Sequence, residues 1–283
     1  MRAVVEFRLG AKPGVSRLRH SAIACALFSV ILLCASSAEA YRPFDGTDAD
    51  VAEFGTFELE LGPVHWYDRG GQQSLLEPVT VLNFGILPAT ELVVDFQGSI
   101  AVGPLDGRPR AALLDTDVML KHVLRDGTLQ GKSGTSIALE MGILTPEVHG
   151  TSAFGASGNL IFSYRADYGS VHFNERAGVS REHALDVFTG AIVEGPHEWI
   201  VRPVSEVFFE REFGNEQTVS ALLGAIWSAE KPLALDVGFR AARIGPQKAA
   251  EFRLGFTWTT SNSDVPSVVG QKAFLRRVVS RVP

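Results

Sequence analysis

A two-residue period, held through run after run of 10–14 residues, limits this chain to β structure. Phe57, Leu59 and Leu61 alternate with Glu58, Glu60 and Gly62. Leu92, Val94, Phe96 and Ile100 alternate with Val93, Asp95, Gln97 and Ser99. Leu233, Leu235, Val237 and Phe239 alternate with Ala234, Asp236, Gly238 and Arg240, and Phe252, Leu254, Phe256 and Trp258 with Glu251, Arg253, Gly255 and Thr257. Successive side chains of a strand point to opposite faces, so each run has one oily face and one that is largely polar, charged or small.

Twelve such runs can be placed, near 55–67, 76–86, 90–102, 111–124, 134–145, 157–167, 169–179, 184–193, 197–212, 216–229, 231–244 and 250–260. A strand in an ordinary soluble sheet has about 5–6 residues, whereas one tilted across a bilayer needs roughly 9–11. The extra length therefore predicts an all-β fold: an antiparallel, up-and-down transmembrane barrel of about 12 strands.

The connections support the same reading. Leu87–Thr90, Tyr168-Gly169, Glu194–His197 and Ala229–Lys231 are tight turns, while Asp68–Leu75, Gly103–Arg110 and Thr145–Ser157 are longer links. Short turns on one side and longer loops on the other match a barrel whose short turns face the periplasm. Arg125–Ser133 is long for the short side. A periplasmic β-sandwich also alternates, but these strands are too long for it and their charged face reads as an interior. Trp66, Tyr67, Tyr164, Tyr168, Trp199, Trp227 and Trp258 fall near strand ends, where an aromatic girdle meets the headgroups.

The two ends of the chain read differently. Residues 1–40 form a secretory leader: Arg2, Arg8, Lys12, Arg17 and Arg19 are basic, Ala22 to Ala35 is apolar except for Ser29, and Ala38-Glu39-Ala40 predicts cleavage before Tyr41. An uncleaved anchor would need a longer apolar run to span the hydrocarbon. Both cysteines, Cys25 and Cys34, leave with the leader, so the mature chain has no disulfide and no thiolate chemistry. Taking the leader's five bases and two acids from totals of 26 and 32 leaves a net charge of −9, which argues against nucleic acid as a partner. Residues 41–260 are assigned to the barrel and 261–283 to a periplasmic tail.

If the oily face meets lipid, the other face lines the lumen. It carries the acids Glu58, Glu60, Asp95, Asp115, Asp117, Glu140, Asp167, Asp186, Glu206, Glu210, Asp236 and Glu251. Its bases are Lys121, Arg125, Arg165, Arg176, Arg202, Arg240 and Arg253, with His172 beside them. A lone buried ion costs several kcal/mol, so such a set must pair or be wetted. Two readings stay open: a structural network that fills a narrow barrel, and a mildly cation-favouring passage lined by acids. Glu206, Glu210, Arg202, Asp236 and Arg240 are central to either, since face-aligned neighbouring runs bring both signs together.

Catalytic constellations are thin. The histidines are scattered, and His149-Gly150-Thr151-Ser152 is the nearest approach to a paired His and Ser. No HExxH, GxSxG, phosphate-loop or calcium-loop pattern occurs, so no enzyme activity, cofactor or metal is expected.

Several segments, in order, resemble a known family. They include Thr56–Gly62, Leu82–Ile86 followed by Glu91-Leu92, Asp117–Lys121 and Ser136–Gly142. Glu206–Glu210, Ala234–Gly238 and Arg253–Trp258 complete the series, which covers roughly 54–260. Together they resemble the outer-membrane transporter family named for the MetA pathway of phenol degradation. The resemblance implies an outer-membrane barrel passing small compounds, aromatic ones among them, and supplies no catalytic residue. Outer-membrane lipid, the barrel-assembly machinery and a small solute are the partners expected. The chain departs from the usual barrel ending, an aromatic on the last strand, because a tail follows Trp258.

Overall fold

The computed structural model describes residues 42–260 apart from 106, 108 and 231; the leader, the cleavage site and the tail after 260 lie outside the described residues. The strands are β1 (Phe57–Arg69), β2 (Gln72–Leu75), β3 (Val79–Leu87), β4 (Thr90–Val102), β5 (Ala111–Arg125), β6 (Ser136–Leu144) and β7 (Gly155–Ala166). They continue with β8 (Gly169–Val179), β9 (Leu185–Glu194), β10 (Val201–Glu212), β11 (Gln217–Glu230), β12 (Leu233–Ile244) and β13 (Gln247–Thr259). A 3₁₀ turn, Thr128–Gln130, precedes β6.

Each strand pairs antiparallel with the next, and β13 returns to β1, so the sheet closes on itself. β2 and β3 both pair with β1 and with β4 and share one place in the wall, giving a closed 12-strand barrel. The break between them contains Pro78, which has no N–H for the ladder. Backbone bonds bridge the gap, from Leu76 N–H to the His65 carbonyl (2.8 Å) and from Gly98 N–H to the Pro78 carbonyl (3.0 Å).

Three expectations shift here. The second run starts earlier than 76, because the glycines Gly70 and Gly71 take the left-handed turn and release Gln72–Leu75 to pair. Asp68–Leu75 is therefore a tight hairpin rather than a long link. The ninth run loses 197–200 to a loop, and β10 begins at Val201.

Neighbouring residues on one strand show which side is which. Leu222 is 1 % exposed and Leu223 70 %. Outward side chains such as Leu223, Phe239 and Phe173 form an exposed oily belt, and inward ones include Glu60, Lys121, Glu206 and Arg253, all buried. The inner face carries charge and is nonetheless enclosed, the reverse of a soluble sandwich. At the end of the barrel where β1 starts and β13 stops, Tyr164, Tyr168, Trp199 and Trp227 are exposed. Tyr67 departs from the girdle: it pairs with Glu251, an inward residue, and so faces the lumen. Among the described residues no helix is long and apolar enough to cross a membrane, which leaves crossing by strands untouched.

Candidate functional site

The lumen is not lined by strands alone. Residues 42–56, ahead of β1, lie within it as an irregular insert with no period of their own. A non-helical backbone enclosed by a wall must have its N–H and C=O groups satisfied from outside itself. Wall side chains supply those bonds. Glu206 accepts the backbone N–H of Asp45 at 2.8 Å and of Gly46 at 2.7 Å. Asn174 accepts from Thr47 N–H (3.1 Å) and donates to the Thr47 carbonyl (2.8 Å). Ser163 accepts Ala49 N–H (2.9 Å), Glu91 accepts Ala52 N–H (2.6 Å), and Arg253 donates to the Pro43 carbonyl (2.6 Å). The insert thus visits β13, β10, β8, β7 and β4 before it becomes β1.

Apolar packing holds it at two points. Phe44 packs on Val204, Ile226 and Ala234, and Ala49 on Ala138 and Ile161. Glycine makes room elsewhere: a Cβ on Gly62 would stand 2.3 Å from Arg42 Nη2, and one on Gly85 would stand 1.9 Å from the Glu53 carbonyl oxygen.

Around the insert, charges fall into two groups. On the β12–β13–β1 side, Arg253 bridges Glu251 (2.7 Å) and Asp45 (3.0 Å), and Arg240 reaches Glu251 and Asp45 (3.6 Å). His65 Nε2 lies 2.8 Å from Glu251, and Arg42 Nε lies 3.7 Å from Asp236. Burial favours the neutral acid at Asp45, but Arg240 and Arg253 outweigh it and hold its pKa below the usual carboxylate value.

Looser space lies toward β3–β7 and, nearer the far rim, beside β8–β10. A cavity of about 410 Å³ between insert and wall is lined by Glu58, Glu60, Asp95, Asp117, Lys121 and Glu140, among others. A second of about 410 Å³ opens toward the far rim and includes Asp115, Asp117, Arg176, Arg181, Glu210 and Arg240. Asp45, Asp117, Met119, Ser157 and Arg176 line both, so the two cavities adjoin there. Asp95 pairs across the ladder with Asp117, and its Oδ1 is buried without a hydrogen bond among the described residues. Two carboxyl groups set directly opposite disfavour ionisation of both, and of the two Asp117 has a counter-charge, Arg181 at 2.7 Å.

The remaining expected residues fall as follows. Glu58 accepts from Thr259 (2.6 Å) and Glu60 from Asn83 (3.2 Å). Lys121 lies 3.3 Å from Glu91 and 3.9 Å from Asp48, and Glu140 stands opposite it on β6. Arg202 pairs with Glu194 at 2.7 Å, Glu210 with Arg176 at 2.5 Å, and Asp117 with Arg181 at 2.7 Å. Arg165 is half-buried near the turn before β8 and lines neither cavity.

Asp115 sits exposed toward the rim with φ of 48°, because β5 carries an extra residue between its pairings Asp117 with Asp95 and Leu114 with Gln97, which breaks the alternation of Asp115's own strand. Asp167 is exposed in the turn between β7 and β8, and Arg125 is exposed at the end of β5, so neither keeps the enclosed position expected of it. His149 is exposed on the loop between β6 and β7.

Asn83, Asn159, Asn174, Ser163 and Glu91 escaped the sequence reading, although all occupy inward positions of their runs. Counting only ionised groups hid the amides and hydroxyl that grip the insert.

Together these features define a closed antiparallel barrel with an oily exterior and a charged, partly filled lumen. No protein-family model matches the sequence, and no curated protein matches it. Among solved structures it is similar to an outer membrane channel from Pseudomonas putida F1, with a TM-score of 0.55, 11% identity, and coverage of 77% of this chain and 99% of that one. It is also similar to the KdgM porin, with a TM-score of 0.49 and 11% identity over 71% of this chain and 98% of that one. At 11% identity the likeness to the Pseudomonas channel speaks for the fold alone.

Proposed function

We propose that this protein is an outer-membrane channel for small solutes, aromatic compounds among them, and that the solute passes beside the insert, along β3–β7 and then past β8–β10 toward the far rim. The observation that carries the reading is the pair of adjoining cavities beside the insert, meeting at Asp117, Met119, Ser157 and Arg176. The exposed oily belt supports a lipid setting, and the short β3–β4, β7–β8 and β11–β12 connections at the end where β1 starts and β13 stops support a periplasmic position for that end. The excess of acids in the first cavity favours cations over anions, as acidic linings do. The aromatic preference rests on the family resemblance alone.

Purified protein in a planar bilayer tests this. Small conductance steps with cation preference are expected, and Asp117→Asn reduces that preference by removing a charge at the junction. Absence of conductance in the full chain overturns the channel.

A second reading, a non-conducting barrel whose interior only stabilises it, is favoured by the density of bonds between insert and wall. The intact chain decides between them: conductance with the insert in place favours the channel, whereas current that appears only when residues 42–52 are deleted favours a barrel closed by its filling.

A further inference from the structure

The outward face carries a feature the lumen does not explain. Across β8–β13, on the half of the wall toward the turn between β12 and β13, outward side chains enclose an open, largely apolar groove of about 1110 Å³. Its floor is low because Ala191, Val207, Ala221 and Ala241 follow one another in register across four strands. Phe173, 52 % exposed, stands beside Ala191 as a side wall.

The next outward row toward the rim runs Phe209, Val219, Arg243, Lys248, so the groove ends on two cations. Arg243 donates from Nε to the Gly245 carbonyl at 3.3 Å. Neither base has a carboxylate in ion-pair reach among the described residues. Arg211 adds a third charge at the rim, its guanidinium 4.8 Å from the Phe213 ring. The acid on the groove's far side, Glu175, is engaged by the Thr189 hydroxyl at 2.6 Å.

Bases on a lipid-facing wall are costly in hydrocarbon and favourable at an anionic headgroup layer. Oily walls leading to paired cations therefore complement a lipid with acyl chains below and phosphate above. The rim in question is opposite the end where β1 starts and β13 stops, which places it in the outer leaflet if the short-turn end is periplasmic. The groove crosses several strand spacings of about 4.8 Å, a width that seats more than two acyl chains.

We propose that this groove binds a phosphorylated, multi-acyl glycolipid of the outer leaflet, with acyl chains over Ala221 and Ala241 and a phosphate between Arg243 and Lys248. The proposal rests on the outer-membrane reading but not on conduction.

Native mass spectrometry of the full-length protein in detergent tests it with three probes: a phosphorylated outer-leaflet glycolipid, its dephosphorylated form, and phosphatidylglycerol. The wild type is expected to retain the first about thirtyfold better than the second, the scale of two bases near an anionic surface. The Arg243→Gln/Lys248→Gln double variant loses that preference, and Ala221→Phe, which fills the floor and leaves both charges, weakens retention of both glycolipids.

Equal retention of the two glycolipid forms by the wild type overturns the proposal, as does phosphatidylglycerol held as well as the phosphorylated glycolipid. A phosphate preference that persists in the Arg243→Gln/Lys248→Gln variant also overturns it, as does unchanged retention by Ala221→Phe. Heat-dependent mobility in detergent gels keeps the two failures apart. A barrel with that signature and no phosphate preference refutes the groove, whereas a wild type that lacks it and disperses without detergent refutes the membrane reading.

Discussion

The two sides of the lumen use the same kinds of residue to opposite ends. Toward β12, β13 and β1, Arg240 and Arg253 share Glu251 and Asp45, and His65 closes on the same carboxylate. Toward β3–β7, Asp95 and Asp117 face each other across the ladder and border open space. Interleaved signs at short range lock the first side, while adjacent like signs give the second no such lock. A single barrel thus combines a fixed half that anchors the insert with a hydrated half that leaves room beside it.

The contrast is most exposed to Arg253→Met. Removing one partner from a buried charge cluster costs about 3–5 kcal/mol, here toward the lower end because Arg240 still reaches both Glu251 and Asp45. The denaturation midpoint of the folded gel band should drop accordingly; an unchanged midpoint would mean the fixed half is as wet as the other.

Deleting 42–52 comes next. It leaves the wall ladder intact, and a several-fold rise in single-channel conductance is expected, with little change in folding yield. A large loss of folded band would make the insert a structural core.

Acid provides a gentler probe. Because Asp45 in the folded chain lies below the usual carboxylate value of 3.8, its contribution is present above that value and is lost as pH falls through its own lower one. The insert should loosen only at strongly acid pH, seen as rising conductance, and Asp45→Asn should remove the acid step. Smallest of all is Asp95→Asn: a shift within about 0.5 kcal/mol of wild-type stability, since the site has no partner to lose, together with reduced cation preference.

The wall was open to inspection in the sequence because a strand writes its two faces into alternate letters. Phe252 to Trp258 could hardly be read otherwise. The break at Pro78 and the bulge that carries Asp115 to the rim were hidden, since a shifted register changes facing without changing composition. Glu206 was legible as an inward acid, but not as the clamp on Asp45 and Gly46. Residues 42–56 have no period, and a chain whose backbone is satisfied by distant side chains leaves no local signal. Asn174 and Ser163 show the same limit from the wall's side: an inward amide or hydroxyl declares its partner only once the tertiary path is known.

Arg253 belongs to the strand that zips onto β1, and the same guanidinium grips Pro43, fourteen residues ahead of β1's first residue. Sealing the seam and seating the stopper are therefore finished together. A half-built wall, lacking its final staves, holds the leading peptide only by Glu206, Asn174, Ser163 and Glu91, and its cork becomes fully fixed only when the cask is hooped.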